Sequence, residues 1–259
     1  MRLKPFLFIL IITSSCYQGG QELGKALKQL QESNKKEEAV QKEKPVLNGT
    51  ITQENKQIGT SAELKYEDGK KNGLSRAYYP DGSIWKESYY QNDVLHGTAK
   101  VYDRQGRLER EVNYDQGKKH GIYTRYFKSG KASMVINYDH NLPLPGYLEK
   151  DYLGKPVPNP EIKVKHLNHL SENNTYTLEF NLEPDKGGAT FYLLPNDSLW
   201  NSQTSLRPFQ LPHGQRSVTF KVEPGYYLDA SMHVFAVFPN RQGNEVAVKR
   251  SITNLRLQN

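Results

Sequence analysis

Gly97-Thr-Ala-Lys-Val-Tyr102-Asp-Arg-Gln-Gly106-Arg-Leu-Glu-Arg-Glu-Val-Asn-Tyr114-Asp-Gln-Gly117-Lys-Lys-His120-Gly121 is the stretch on which the reading of this chain turns. It reads as a strand, a tight turn, a longer strand and a second turn, and it recurs every 24 residues. Tyr66, Tyr90, Tyr114 and Tyr138 mark one phase, and Tyr78, Tyr102 and Tyr126 another. Gly73, Gly97 and Gly121 hold a third, and Gly82, Gly106 and Gly130 a fourth. Four markers at one spacing identify a repeat architecture. All six glycines are expected in turns, where positive φ is needed.

The longer strands alternate with period two. Ile84, Lys86, Ser88 and Tyr90 share one face with Leu108, Arg110, Val112 and Tyr114, and with Ala132, Met134, Ile136 and Tyr138. The opposite face carries Trp85, Glu87 and Tyr89, then Glu109, Glu111 and Asn113, then Ser133, Val135 and Asn137. One hairpin cannot bury its apolar side alone, so successive hairpins are expected to stack into an antiparallel meander. Ring pairing among the recurring tyrosines is expected to add cohesion.

Tyr114-Asp-Gln-Gly117-Lys-Lys-His120-Gly121, followed by Tyr126 and Gly130, resembles the MORN repeat, and the spacing resembles the variant found in YwqK-type antitoxins. The resemblance covers residues 59–141, with degenerate copies in phase at Asn48-Gly49-Thr50 and at Gly154. It implies a binding or scaffolding role. The central copy has Asp93 where its neighbours have Gly69 and Gly117, and the turn is expected to survive because Asp tolerates left-handed geometry.

Ahead of the repeats, Met1-Arg-Leu-Lys4 and the seven apolar residues Phe6–Ile12 precede Thr13-Ser14-Ser15-Cys16. The run is too short to span a bilayer, which takes about 20 residues, and reads as a signal peptide over residues 1–15. Cys16 is the single cysteine and follows small residues as in a bacterial lipobox, so it is expected to be acylated and to anchor the chain. Residues 16–47 are rich in Lys, Glu and Gln, with Leu23, Leu27 and Leu30 at helical spacing, and read as a flexible, partly helical tether. The repeat sheet is expected over 48–156.

After Pro156-Val-Pro158-Asn-Pro160 the repeat phase is lost. Alternation at Tyr176, Leu178, Phe180 and Leu182, at Val218, Phe220 and Val222, and at Met232, Val234, Ala236 and Phe238 marks short strands, with Thr190–Leu194 expected to be fully buried. Turn signals fall between them, which gives a β-sandwich of immunoglobulin or fibronectin type over 157–259. The fold class is therefore all-β: stacked hairpin repeats followed by a sandwich.

The net charge of +7 is spread out: 14 basic and 11 acidic residues lie within 61–141. That is no nucleic-acid stripe. His166 and His169 offer two metal ligands where a zinc site needs three or four, so no metal is expected there. His96 and His120 read as residues preceding a glycine, in the phase of Asn72, and Glu109 and Glu111 as a solvated strand face. No catalytic constellation is present, and neither an enzyme nor a cofactor is expected. The expected function is a lipid-anchored binding or scaffold module of the bacterial envelope, at the outer membrane. Tyr79, Trp85, Tyr89 and Tyr123 form the candidate surface for a protein or glycan partner. The alternative is an antitoxin or immunity-type protein against an envelope-acting toxin.

Overall fold

A computed structural model of the chain describes residues 27–35, 46–55, 57, 59–195, 200 and 209–259. Residues 1–15, read above as a signal peptide, Cys16 and most of the stretch 16–47 read as a tether lie outside the described residues. Two compact units are present, Met1–Val46 and Leu47–Asn259. In the first, residues 27–35 form helix α1, with Leu27 and Leu30 exposed. Among the described residues no helix is long and apolar enough to cross a membrane.

The second unit begins with a twelve-stranded antiparallel sheet. Its strands are β1 (Gly49–Asn55), β2 (Thr60–Glu67), β3 (Lys70–Lys71), β4 (Gly73–Tyr78), β5 (Ile84–Gln91) and β6 (Val94–Leu95). β7 (Gly97–Tyr102), β8 (Leu108–Asp115), β9 (Lys118–Tyr126), β10 (Ala132–Asp139), β11 (Leu142–Pro143) and β12 (Leu148–Glu149) complete it. The main path runs β1-β2-β4-β5-β7-β8-β9-β10-β11, each strand beside a sequence neighbour, as stacked hairpins require. The first degenerate copy belongs to it, with β1 starting at Gly49; at the other end Gly154 closes a turn just past β12 by donating its N–H to the Asp151 carbonyl at 2.9 Å.

Two kinds of turn alternate. Along one edge, Asp68-Gly69, Asn92-Asp93, Gln116-Gly117 and His140-Asn141 all have positive φ at both positions, the signature of a type I′ hairpin turn. Each of the last three turns bonds the copy before it: the N–H groups of Asp93, Gly117 and Asn141 donate to the carbonyls of Lys71, Leu95 and Lys119 at 2.8–2.9 Å. Asp93 keeps the turn, with φ +70. It also adds what Gly lacks, since its Oδ1 accepts the Lys71 N–H at 2.8 Å, and Asn141 does the same for Lys119. Gly82, Gly106 and Gly130 close the turns of the opposite edge.

Gly73, Gly97 and Gly121 differ from the expectation. They lie within strands rather than turns, at the start of β4 and β7 and inside β9. The pairing slips beside them, as where Tyr66↔Lys71 gives way to Glu63↔Arg76, so these glycines kink the strand as bulges do. Across the ladder they face Tyr90, Tyr114 and Tyr138. The recurring tyrosines therefore stand opposite glycines rather than opposite one another, because successive copies are two strands, about 10 Å, apart. Lysines lie over two of the rings, with Lys71 Nζ 5.5 Å from the Tyr90 centroid and Lys119 Nζ 5.0 Å from that of Tyr138.

The seven remaining strands form two antiparallel sheets. β13 (Glu161–His169), β14 (Thr175–Glu183) and β17 (Ser217–Lys221) make one, with the four-residue helix α2 (Leu170–Asn173) between the first two. β15 (Thr190–Pro195), β16 (Phe209–Gln210), β18 (Tyr227–Pro239) and β19 (Glu245–Gln258) make the other. The alternation read from the sequence places Leu178, Phe180, Val234, Ala236 and Phe238 in the core, with Phe180 stacked on Phe191 at 5.9 Å. β15 is not fully buried: Phe191 and Leu194 point inward while Thr190, Tyr192 and Leu193 are half-buried.

The apolar core crosses from one sheet system to the next without a break. Val112, Tyr123, Met134, Ile136 and Tyr138 from the repeats share one cluster with Phe180, Val234, Phe238 and Val246. Tyr138 donates its hydroxyl to the Glu245 carbonyl at 2.9 Å, Phe238 meets Tyr147 edge-on at 6.4 Å, and Pro145 bridges Ala247. A second cluster centres on Trp200, stacked on Phe235 at 4.2 Å, with its indole N–H donated to the Pro143 carbonyl at 2.9 Å. The inner face of the last repeats is thus sealed by the sandwich, and the outer face is left to solvent.

Candidate functional site

Strand alternation fixes what the outer face displays. One row crosses the sheet as Glu63, Arg76, Glu87, Lys100 and Glu111, each opposite the next in the ladder. Signs alternate, so every carboxylate has a cationic neighbour. The tyrosines at the strand ends then reach back, with the hydroxyls of Tyr78, Tyr102 and Tyr126 donating to Glu63, Glu87 and Glu111 at 2.7, 2.9 and 3.5 Å. The 24-residue phase of Tyr78, Tyr102 and Tyr126 thus has a partner phase of glutamates fifteen residues earlier. Glu111 thus faces Tyr126 and Lys100.

Glu87 is the best-held member. The Arg76 guanidinium, at 3.0 Å, keeps its carboxyl below the usual range against the opposing effect of burial, and the Tyr102 hydroxyl adds to the lowering. Burial first and the Glu87 bond second push the Tyr102 phenol up to about 12, so it stays a donor. A depressed carboxyl pKa stabilises the fold above the unfolded-state value, about 4.3 for Glu, and that contribution is lost as pH falls through the folded value. Thermal midpoints of the wild type and Glu87→Gln are therefore expected to differ most near pH 6–7 and to converge below about pH 4. A gap that stays constant with pH would contradict the assignment.

Around this row lie the aromatic candidates. Trp85 and Tyr89 are 43% and 45% exposed on one strand, on either side of Glu87. Tyr89 pairs across the ladder with Leu74, itself 41% exposed. Tyr79 stands 6.3 Å from Trp85, half-buried, with its hydroxyl donated to the Tyr102 carbonyl at 2.9 Å and the Arg104 guanidinium over its ring. Tyr79 and Trp85 make one aromatic pair, and Tyr89 with Leu74 stands on the far side of Glu87 on the same outer face. Tyr123 is not part of it. Its position in β9 corresponds to Ser75 in β4 and Ala99 in β7, which face inward, and it is buried edge-on against Tyr138. The small residues of the earlier copies gave no warning, since only the last repeats have the sandwich beneath them to cover an aromatic ring.

The structure also assembles a group that periodicity did not reveal. His96 Nδ1 lies 3.4 Å from Asp115, whose other oxygen lies 3.2 Å from His140 Nε2. His140 Nδ1 lies 2.7 Å from Asp139, which lies 3.3 Å from His120 Nδ1. His120 and His140 have ring centroids 4.6 Å apart. His140 occupies the first position of its I′ turn, φ +48, where the earlier turns carry Asp68, Asn92 and Gln116. Asp139 beside it, first through a hydrogen bond, raises the imidazole pKa. The signal available in sequence was register: pairing Tyr138 with Gly121 places Asp139 beside His120. His166 and His169, by contrast, are not brought together; the first bonds Tyr176 and the second Glu172.

A stacked-hairpin repeat sheet with an uncovered, charge-laddered and partly aromatic face defines the class of this molecule. Residues 71–92 and 95–116 match the MORN repeat variant family. These segments contain Trp85, Tyr89 and the row from Arg76 to Glu111 with Tyr78 and Tyr102, and they end before His120, Asp139 and His140. No curated protein matches the chain.

Proposed function

We propose that the chain is a non-enzymatic binding or scaffold module of the bacterial cell envelope. It is held to a membrane through an acylated Cys16 and engages a protein or glycan with the outer face of its repeat sheet. The observation that carries this reading is the exposure of Leu74, Trp85 and Tyr89, each more than 40% exposed on the outer face of the repeat ladder. Apolar and aromatic side chains fixed by a ladder lose little conformational freedom on binding, and the surrounding alternating charges supply a polar rim. The MORN repeat match supports a repeat-based binding role. The lipobox-like Thr13-Ser14-Ser15-Cys16 supports export and anchoring.

The test substitutes both aromatics. Trp85→Ala with Tyr89→Ala is expected to leave stability within roughly 0.5 kcal/mol per site, as for exposed positions, and to weaken partner capture about tenfold or more. Crosslinking and mass spectrometry on intact cells compare the two chains and report acylation of Cys16 in the same sample. An identical set of crosslinked partners from both would refute the placement of the surface, and an unmodified Cys16 would refute the anchor. A toxin among the lost partners would turn the reading toward the YwqK-type antitoxin that the repeat spacing resembles.

A further inference from the structure

We propose that His120, Asp139 and His140 form a site for a divalent transition-metal ion of the Zn²⁺ class, with Asp115 orienting His140. The ligand atoms of the three residues lie within 4.8 Å of one another. In a tetrahedral zinc site, nitrogen and oxygen ligands about 2.0–2.1 Å from the ion are about 3.3 Å apart. The 3.3 Å from His120 to Asp139 already has that value, and the 2.7 Å hydrogen bond from His140 to Asp139 would open by about 0.6 Å as the ion replaces its proton. Two imidazoles and one carboxylate suit Zn²⁺ and its neighbours, whereas Mg²⁺ and Ca²⁺ want oxygen throughout.

The surroundings fit as well. With Nδ1 turned to the ion, His140 presents Nε2 to Asp115 at 3.2 Å, the carboxylate–imidazole–metal relay that fixes ring orientation and tautomer. Asp115 is braced in turn by His96 at 3.4 Å. The Asp139 and His140 side chains are 14% and 21% exposed while His120 is 47% exposed, which gives the ion an entry and leaves room for water as a fourth ligand. The three donors sit on ladder and turn backbone, with Asn141 of the same turn bonded to Lys119 on both its N–H and its side chain. This site lies on the turn edge of the last copies and does not depend on the outer-face reading.

The full-length chain, stripped of metal by a chelator, is titrated with Zn²⁺ alone. One equivalent is expected to bind, at least tenfold more weakly in His120→Asn and in His140→Asn, and unchanged in His169→Asn. Asparagine is the residue the same phases carry at Asn72 and Asn92, so both variants keep the hairpin. Asp115→Asn is expected to weaken binding about ten- to a hundredfold without removing a ligand. A second readout needs no substitution: the first equivalent of Zn²⁺ shifts the ring resonances of His120 and His140 and leaves those of His166 and His169 in place. Wild-type binding no tighter than that of His140→Asn, or shifts spread evenly over all histidines, would overturn the proposal.

Discussion

Deleting residues 157–259 is expected to abolish folding of the repeat sheet. The sheet's last copies bury Val112, Tyr123, Met134, Ile136 and Tyr138 in the cluster completed by the sandwich. At about 1.5–3 kcal/mol for each fully buried side chain, their exposure costs on the order of 10 kcal/mol. That is comparable to the entire stability of an ordinary domain, about 5–15 kcal/mol. The shortened chain is expected to bind a hydrophobic dye, to exchange its amide hydrogens without protection and to associate. A monomeric, cooperatively unfolding product would show that the repeats close their own core.

Phe238→Ala is expected to lower the stability of both sheet systems together. Phe238 is 1% exposed, lies in the sandwich sheet and meets Tyr147 of the repeat side edge-on. Truncating a buried Phe costs about 3–5 kcal/mol, which for a unit of this size lowers the melting midpoint by roughly 10 °C. The chain's two tryptophans make the test direct, because Trp85 lies in the repeats and Trp200 against the sandwich. Forms with Phe at one or the other position report the two regions separately, and both midpoints are expected to fall by the same amount. A drop confined to the Trp200 signal would mean that the halves unfold independently.

The legible part of the molecule was its local part. A 24-residue period, strand alternation and turn chemistry located the sheet, its strand order and the in-phase copy at its first edge, since each depends on residues close in sequence. The same reasoning failed where the decisive neighbour is remote. Tyr123 is a core residue because its cluster is completed by residues such as Phe238 and Val246, more than 100 residues away. Gly73, Gly97 and Gly121 shared the residue type of turn glycines but answer to a register slip, visible only once partners are known. His140 is hidden differently: it breaks the phase of Asp68, Asn92 and Gln116, so no recurrence marks it. Trp85 and Tyr89 are exposed, as strand alternation alone requires.

The joint between copies is made of main-chain ladder bonds and turn-to-turn bonds that are the same from one copy to the next, and the terminal seal is made once, by the sandwich. Length and attachment are therefore separate properties. Each inserted copy lengthens the platform by two strand widths, about 10 Å, and does so at a distance from Met134, Tyr138 and Phe238. A lineage could shorten or extend its reach by whole copies while the foundation stays as it is.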